Sequence, residues 1–169
     1  MPTQRRNIVV SILFTLFGGP GIVLVYLPLW ITRFRIPVGE PPWQILIAAA
    51  LIVVGLMPLL DSILRFIHAG RGTLMPTVPT ERLVVTGLYR YVRNPMYVGV
   101  LVSLAGEALL FWNSGILIEG AIGCLGIHLF VRLYEEPTLT RRHSEEYLRY
   151  KHHVPRWLPR LTPWDGTGN

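Results

Sequence analysis

The sequence predicts an all-α integral membrane protein with about four transmembrane helices, and its composition is the first reason. Of the 169 residues, 51% are hydrophobic and the mean hydropathy is +0.42, which is high for a soluble domain of this length. The apolar residues are also grouped in long runs, with the charged residues between them. The net charge of +6 fits the Lys and Arg excess of cytoplasmic loops. Because no nucleic-acid-binding motif accompanies it, we expect no nucleic acid partner.

Four apolar runs are the predicted spans. They cover residues 8–31, 43–67, 95–112 and 116–134. The sequence GGPG at 18–21 interrupts the first run, which predicts either one kinked helix or two short ones. Pro58 predicts a kink in the second run. The turn NSG at 113–115 is so short that the third and fourth spans should form an antiparallel helical hairpin.

The basic residues predict the orientation. Of the 16 Lys and Arg residues, Arg33 and Arg35 lie in the loop after the first span. The other 14 lie in or next to the N-terminal tail, the loop between spans two and three, and the segment after span four. We therefore expect both termini in the cytoplasm, and a bacterial inner membrane location. After span four, the amphipathic segment 137–150 and the Arg- and Trp-bearing stretch 151–160 are typical of chain at headgroup level.

A polar stretch, TGLYRYVRNPMY at 86–97, separates the second and third apolar runs. Asn94 is a favourable N-cap, because its side-chain oxygen can accept from free backbone N–H groups, and Pro95 suits the first helical position. Arg93 is a cation beside the positive end of the helix dipole, which is unfavourable unless an anion joins it. The stretch therefore predicts either simple capping or an anion site where span three begins.

Charged residues within apolar runs are costly in lipid and are candidate functional residues. Asp61, Arg65 and His68 share one helical face at the end of span two, where we expect an ion pair near the membrane interface. Cys124 is the single cysteine, so neither a disulfide framework nor a cysteine-rich metal site is possible, and we expect no metal.

Three residues of the hairpin are candidate catalytic groups. Glu107 lies on span three and His128 on span four, and Arg132 follows His128 by one helical turn. Because the two helices should face each other, we expect these three side chains in one region. The polar stripe continues into two adjacent acids, Glu135 and Glu136, which favours a function over packing alone.

Three motifs together resemble one enzyme superfamily. They are RNPMY at 93–97 preceded by TGLYRY, the acid pair at 135–136, and SEEYLRYKHHVPRWLP at 144–159. This pattern is similar to the isoprenylcysteine carboxyl methyltransferase and phospholipid methyltransferase superfamily. The resemblance implies an integral-membrane enzyme that uses S-adenosylmethionine on a hydrophobic or lipid substrate. It covers about 70–160, so within a single membrane domain (1–169) we expect 1–69 to supply spans one and two and 70–160 the cofactor and catalytic region.

The resemblance also implies residue roles. Arg132 matches an arginine assigned to substrate, and Glu136, with Glu135, matches acids that hold the cofactor. Asn94 departs from the pattern, because the carboxyl methyltransferases usually have histidine there, and this weakens the substrate inference more than the cofactor inference. Arg93 suits the cofactor carboxylate. The expected cofactor-binding residues are Gly70, Gly72, Tyr89, Arg93, Asn94, Pro95, Met96, Tyr97, Glu135 and Glu136, although the glycines could also belong to a loop that ends a helix.

The methyl acceptor stays open at this point. A carboxylate nucleophile needs no general base, only desolvation and an orienting cation, for which Arg132 is the candidate. An amine nucleophile needs a base, and Glu107 or His128 could serve. Two other classes are an NADPH-dependent membrane reductase related to sterol reductases, which the paired acids and the small size disfavour, and a non-catalytic membrane scaffold. The sequence does not indicate an oligomeric state.

Overall fold

The structure, a computed structural model, describes residues 9–10, 12–13, 15–35, 37–68 and 83–166, with the side chains of 66–68 left out. All regular structure in these ranges is helical, as predicted. The main helices are α1 (Thr15–Ile31), α2 (Pro42–His68), α3 (Pro95–Leu110), α4 (Ser114–Phe130) and α5 (Glu136–His153). A 3₁₀ turn (Gly87–Arg90) precedes α3, and a π-helical turn (Val131–Glu135) joins α4 to α5.

Within the described ranges, two helices are long and apolar enough to cross a membrane. They are α2 and the continuous helix that begins with α4, whereas α1 and α3 are apolar but shorter. Large apolar side chains point outward from both long helices; Met57 of α2 is 63% exposed and Ile122 of α4 is 67% exposed. Contiguous exposed apolar surface of this kind suits lipid rather than water. The number of four spans stays a prediction.

Helices α2 and α3 pack together through their smallest residues. A Cβ atom on Gly99 would overlap the backbone oxygen of Gly55, and one on Gly106 would lie 2.8 Å from the oxygen of Ala48. Ser103 reaches across the same interface, where its Oγ donates to the Ile52 carbonyl at 3.4 Å. Small residues let membrane helices approach closely and gain dispersion contacts. These contacts hold α2 and α3 close together.

The predicted hairpin is present between α3 and α4. Helix α3 ends at Leu110, two residues before the predicted boundary, because Trp112 has a φ of +47° and cannot continue a right-handed helix. Asn113 then caps α4, and its side-chain oxygen accepts from the Gly115 N–H at 2.8 Å. A core cluster packs within this hairpin and against α1; it consists of Val100, Leu104, Ala108 and Ile116.

The backbone at glycine, proline and serine positions modifies the predicted helices in some places and leaves them unbroken in others. Gly18, with φ −111° and ψ −143°, interrupts α1, so the first run is one broken helix. Pro58 lies inside an uninterrupted α2. The helix from α4 does not stop before Pro137, because this proline falls in the first turn of α5, directly after the π-helical turn, where its missing N–H is tolerated. Ser144, with a φ of +43°, marks a kink within α5.

The chain after α5 folds back onto the stretch before α3. We call residues 86–94 the central turn and residues 154–164 the C-terminal segment. Three backbone hydrogen bonds of 2.9 Å join them: from Arg93 to Pro155, from Arg160 to Tyr91, and from Trp164 to Arg90. Beneath them lies a buried cluster that consists of Tyr147, Tyr150, Val154 and Trp164. The segment predicted to lie along headgroups is therefore also a folded part of the polar end of the molecule.

Candidate functional site

Glu136 lies at the centre of an ion-pair cluster at the polar end. Its carboxylate contacts Arg93 Nη1 at 2.8 Å, Arg156 Nε at 2.6 Å and Lys151 Nζ at 3.0 Å. Arg156 binds in two-pronged fashion, since its Nη2 also donates to Glu136 Oε2 at 3.0 Å. Glu136 is only 4% exposed, and a buried carboxylate is tolerated only when it is paired in this way. We call these four residues the Glu136 cluster.

The Glu136 cluster places an anion beside Arg93, and an anion there was one of the two alternatives that the sequence left open. That anion is Glu136 itself, and its hydrogen bond to Arg156 raises the pKa of Arg156 above its ordinary value even though partial burial opposes this. Arg93 Nε, by contrast, is buried and has no hydrogen-bond partner among the described residues. The Nε–H group is therefore a donor that a further acceptor could use.

The capping prediction for Asn94 is wrong in one respect. Asn94 holds the N-cap position and Pro95 begins α3, but the Asn94 side chain makes no capping hydrogen bond. Its Nδ2 donates instead to the Arg156 carbonyl at 3.2 Å, because the C-terminal segment lies against the central turn. Met96 follows in the first turn of α3 and is partly buried.

A second polar group brings together three of the predicted cofactor residues. Tyr97 Oη donates to Glu135 Oε2 at 3.3 Å. Tyr89 is buried, and burial raises its pKa, with the nearby carboxylates of Glu135 and Asp61 acting in the same direction. Tyr150 Oη fixes the backbone here by donating to the Tyr89 carbonyl at 2.8 Å. An acid and two tyrosines thus meet where α2, α3 and the π-helical turn converge.

The predicted ion pair at the end of α2 is confirmed. Arg65 Nε donates to Asp61 Oδ2 at 2.8 Å. The Arg65 guanidinium lies against Gly87, where an added Cβ would overlap it and where φ is +55°. This contact ties α2 to the central turn. The His68 side chain lies outside the described part of the structure, as do Gly70 and Gly72, so their predicted roles stay predictions.

An apolar groove lies between α3 and α4. It has a volume of about 620 Å³, and its lining consists of Val98, Leu101, Val102, Ala105, Ala121, Cys124, Leu125, His128 and Trp157. Trp157 enters it from the C-terminal segment and donates from Nε1 to His128 Nδ1 at 3.3 Å. Trp157 is a site residue that the sequence analysis assigned only to the headgroup region, because its partner is 29 positions away.

Glu107 does not join His128 and Arg132, so the prediction that the three share one region is wrong. Its electrostatic neighbour is Glu119 of α4. Antiparallel packing sets late residues of α3 against early residues of α4, and Glu107 lies about 13 Å along the helix axis from Val98 of the groove's polar end. Oxygens of both acids are buried without a hydrogen-bond partner among the described residues. Glu119 was missed, although its position in an apolar run is a detectable signal.

Arg132 is exposed and lines a basic cleft beyond the groove. The cleft has a volume of about 680 Å³ and its charged lining consists of Arg132, Glu136, Arg141, Lys151 and Arg156. The groove and the cleft meet at two consecutive residues, since Arg156 lines the cleft and Trp157 lines the groove. The apolar groove therefore lies beside the basic cleft.

These features define a class of protein, a helical membrane protein with an apolar groove, a basic cleft and an acid–tyrosine group at one end. A family comparison agrees: the model of the phospholipid methyltransferase family matches residues 43–146. This is more than half of the chain, and the chain belongs to that family. The resemblance drawn from the three motifs is thereby confirmed.

The chain is also similar to two curated enzymes. They are the protein-S-isoprenylcysteine O-methyltransferases of Mus musculus and Rattus norvegicus, each 36% identical over 83 residues. The match covers 47% of this chain and 28% of each relative, so the chain spans well under half of the length of these enzymes. No solved structure matches the chain.

Proposed function

We propose that the protein transfers a methyl group from S-adenosylmethionine to a hydrophobic, membrane-embedded acceptor. The observation that carries this proposal is the meeting of an apolar groove with a polar, charge-bearing end in a chain of the phospholipid methyltransferase family. A lipid-like acceptor could enter the groove from the bilayer, and a water-soluble cofactor could enter from the polar end. The name of the similar enzymes, which act on isoprenylcysteine, supports the same substrate class.

The residues at the polar end fit such a cofactor. S-adenosylmethionine carries a sulfonium, an ammonium, a carboxylate and a ribose diol, and when bound it supplies an activated methyl group. Glu135, held by Tyr97, can accept hydrogen bonds from an ammonium or a diol. The Nε of Arg93, for which the described part of the chain offers no hydrogen-bond partner, can donate to a carboxylate. Glu135 is a better candidate for direct contact than Glu136, whose two oxygens already bind three cations.

The groove and the cleft would bind different parts of the acceptor. Apolar side chains of α3 and α4 would hold the hydrocarbon part and exclude water from the reacting atoms. Arg132, at the cleft, would orient an anionic part of the acceptor through its planar pair of N–H donors. Alignment and desolvation are the main demands of an in-line methyl transfer, so this division suits the reaction.

The excess of basic residues supports a topology in which the polar end faces the cytoplasm. With four spans, the central turn and the C-terminal segment lie on one side, which fits the positive-inside rule. We propose that region 70–160 holds the cofactor and catalytic residues, while the preceding helices support it through the close α2–α3 interface. A reductase or a scaffold is not favoured by the family match.

The proposal is tested with the purified full chain in lipid nanodiscs and S-adenosylmethionine labelled in its methyl group. We expect label to enter the solvent-extractable lipid fraction and S-adenosylhomocysteine to inhibit this transfer. The test variant is Glu135→Gln, which should transfer at least tenfold less label. This corresponds to a loss of about 1.4 kcal/mol of transition-state stabilisation. Label that stays in the aqueous fraction with every lipid supplied would contradict the proposal.

A further inference from the structure

We propose that Trp157 fixes His128 as a hydrogen-bond donor, so that the groove selects a carboxylate rather than an amine as the methyl acceptor. This inference rests on the proposed function and deepens it, because it names the reactive group of the substrate. Its starting point is the 3.3 Å contact between Trp157 Nε1 and His128 Nδ1. The two rings are 6.1 Å apart between centroids and inclined by 32°.

The contact determines which ring nitrogen of His128 carries the hydrogen. An indole N–H can only donate, so His128 Nδ1 must be the acceptor. A neutral imidazole has one donor nitrogen and one acceptor nitrogen, and the hydrogen bond at one fixes the state of the other. His128 therefore bears its hydrogen on Nε2. Since Nδ1 is occupied by Trp157, Nε2–H is the group that His128 can offer to a ligand in the groove.

A donor at this position suits one acceptor chemistry and not the other. When a carboxylate oxygen attacks the methyl carbon, the C–O bond forms as the C–S bond breaks and sulfur keeps the electron pair. The products are a methyl ester and a neutral thioether, so no proton has to leave. An amine acceptor must lose a proton to complete the reaction. Nε2 already bears a hydrogen and cannot take that proton, whereas it can donate to a carboxylate.

The charges around the groove agree with this selection. The adjoining cleft is lined by Arg132, Arg141, Lys151 and Arg156, and its one acid among the described lining residues, Glu136, is itself paired with cations. Such a surface attracts a carboxylate and repels an ammonium. Glu107, the other base considered for an amine, lies at the far end of the hairpin beside Glu119. The described groove thus offers an amine neither a base nor a counter-charge.

The tautomer can be measured without turnover, by nitrogen-15 NMR of the full chain with labelled histidine in nanodiscs. The His128 signal is assigned by its loss in His128→Gln. We expect the neutral Nε2–H form in the native protein, and a mixture of tautomers in Trp157→Phe, which keeps an aromatic ring but removes the N–H donor. An Nδ1–H form, or a ring with hydrogen on both nitrogens, would overturn the inference.

The selection is measured with two acceptors that share one prenyl thioether chain and end in either a carboxylate or a primary amine. We expect kcat/KM to be at least tenfold higher for the carboxylate. His128→Leu should lose about tenfold with it, and His128→Gln should recover most of that loss, because its amide N–H can stand where Nε2–H was. An amine preference, or a Gln variant as inactive as Leu, would overturn the inference. Absence of methyl transfer to either acceptor would instead contradict the proposed function, and the NMR result would still decide the state of His128.

Discussion

Two carboxylate sites at opposite ends of the hairpin show how differently this chain treats the same side chain. At the polar end, Glu136 is buried but surrounded by Arg93, Lys151 and Arg156. At the other end, Glu107 and Glu119 have buried oxygens that lack a hydrogen-bond partner in the described ranges. Because cations surround it, the buried Glu136 stabilises the fold, whereas Glu107 and Glu119 make no comparable contribution.

The contacts of Glu136 indicate that this residue stabilises the fold. Its partners come from the central turn, α5 and the C-terminal segment, so the cluster joins three parts of the chain. The resemblance implied a different role, in which Glu136 helps to hold the cofactor, and that role stays a prediction. Glu135, one residue earlier, has only the hydrogen bond from Tyr97 among the side-chain contacts named above and is freer to meet a ligand.

The largest expected effect is that of Glu136→Gln. Removing the charge leaves Arg93 and Arg156 without their counter-ion in a mostly buried site, which costs on the order of 3 kcal/mol of unfolding free energy. Glu119→Gln is the matched control and should be neutral or slightly stabilising, because no described cation loses a partner. Thermal and denaturant unfolding in one detergent would measure both. Equal losses of unfolding free energy in the two variants would contradict the view that Glu136 stabilises the fold and Glu119 does not.

A smaller effect is expected when one cation of the Glu136 cluster is removed. Arg156→Met loses a two-pronged hydrogen bond from a side chain that is 25% exposed, whereas Lys151→Met loses a single contact from a side chain that is 41% exposed. We expect about 1–2 kcal/mol for Arg156 and well under about 1 kcal/mol for Lys151, since exposed ion pairs are weak. The same unfolding measurements apply. A larger loss for Lys151 than for Arg156 would contradict the geometry.

Arg132→Lys should change activity and leave stability intact. Arg132 is exposed at the cleft and outside the Glu136 cluster, so the fold does not depend on it. Lysine cannot reproduce a planar two-pronged donor, and we expect turnover of the carboxylate acceptor to fall about tenfold, or about 1.4 kcal/mol of transition-state alignment. Arg142→Lys, an exposed change outside the cleft lining, is the control and should keep native turnover. Native turnover in Arg132→Lys would leave Arg132 as a membrane-surface residue.

Local sequence signals predicted the local structure well. Apolar runs and turn residues gave the helices, the hairpin and the start of α3 at Pro95, and the spacing of Asp61 and Arg65 gave an ion pair within one helix. These features depend on residues only a few positions apart. Helix periodicity and capping chemistry are sufficient to find them.

Contacts between distant parts of the chain could not be predicted in this way. Asn94 and Arg156 are 62 positions apart, and their contact uses a backbone carbonyl, which leaves no mark on residue type. The three backbone hydrogen bonds of the C-terminal segment likewise cannot be predicted from the types of the residues that form them. Glu107 was misplaced because facing helices were assumed without working through their antiparallel register.

The central claim is that the acid–tyrosine group holds the cofactor while the Glu136 cluster holds the fold. Calorimetric titration of S-adenosylmethionine into the native protein, Glu135→Gln and Glu119→Gln, all in the same nanodiscs, tests it most directly. We predict that the native protein and Glu119→Gln bind with equal affinity, that S-adenosylhomocysteine competes, and that Glu135→Gln binds at least tenfold more weakly, or about 1.4 kcal/mol. Equal affinity in Glu135→Gln, or no binding to the native protein, would contradict the account.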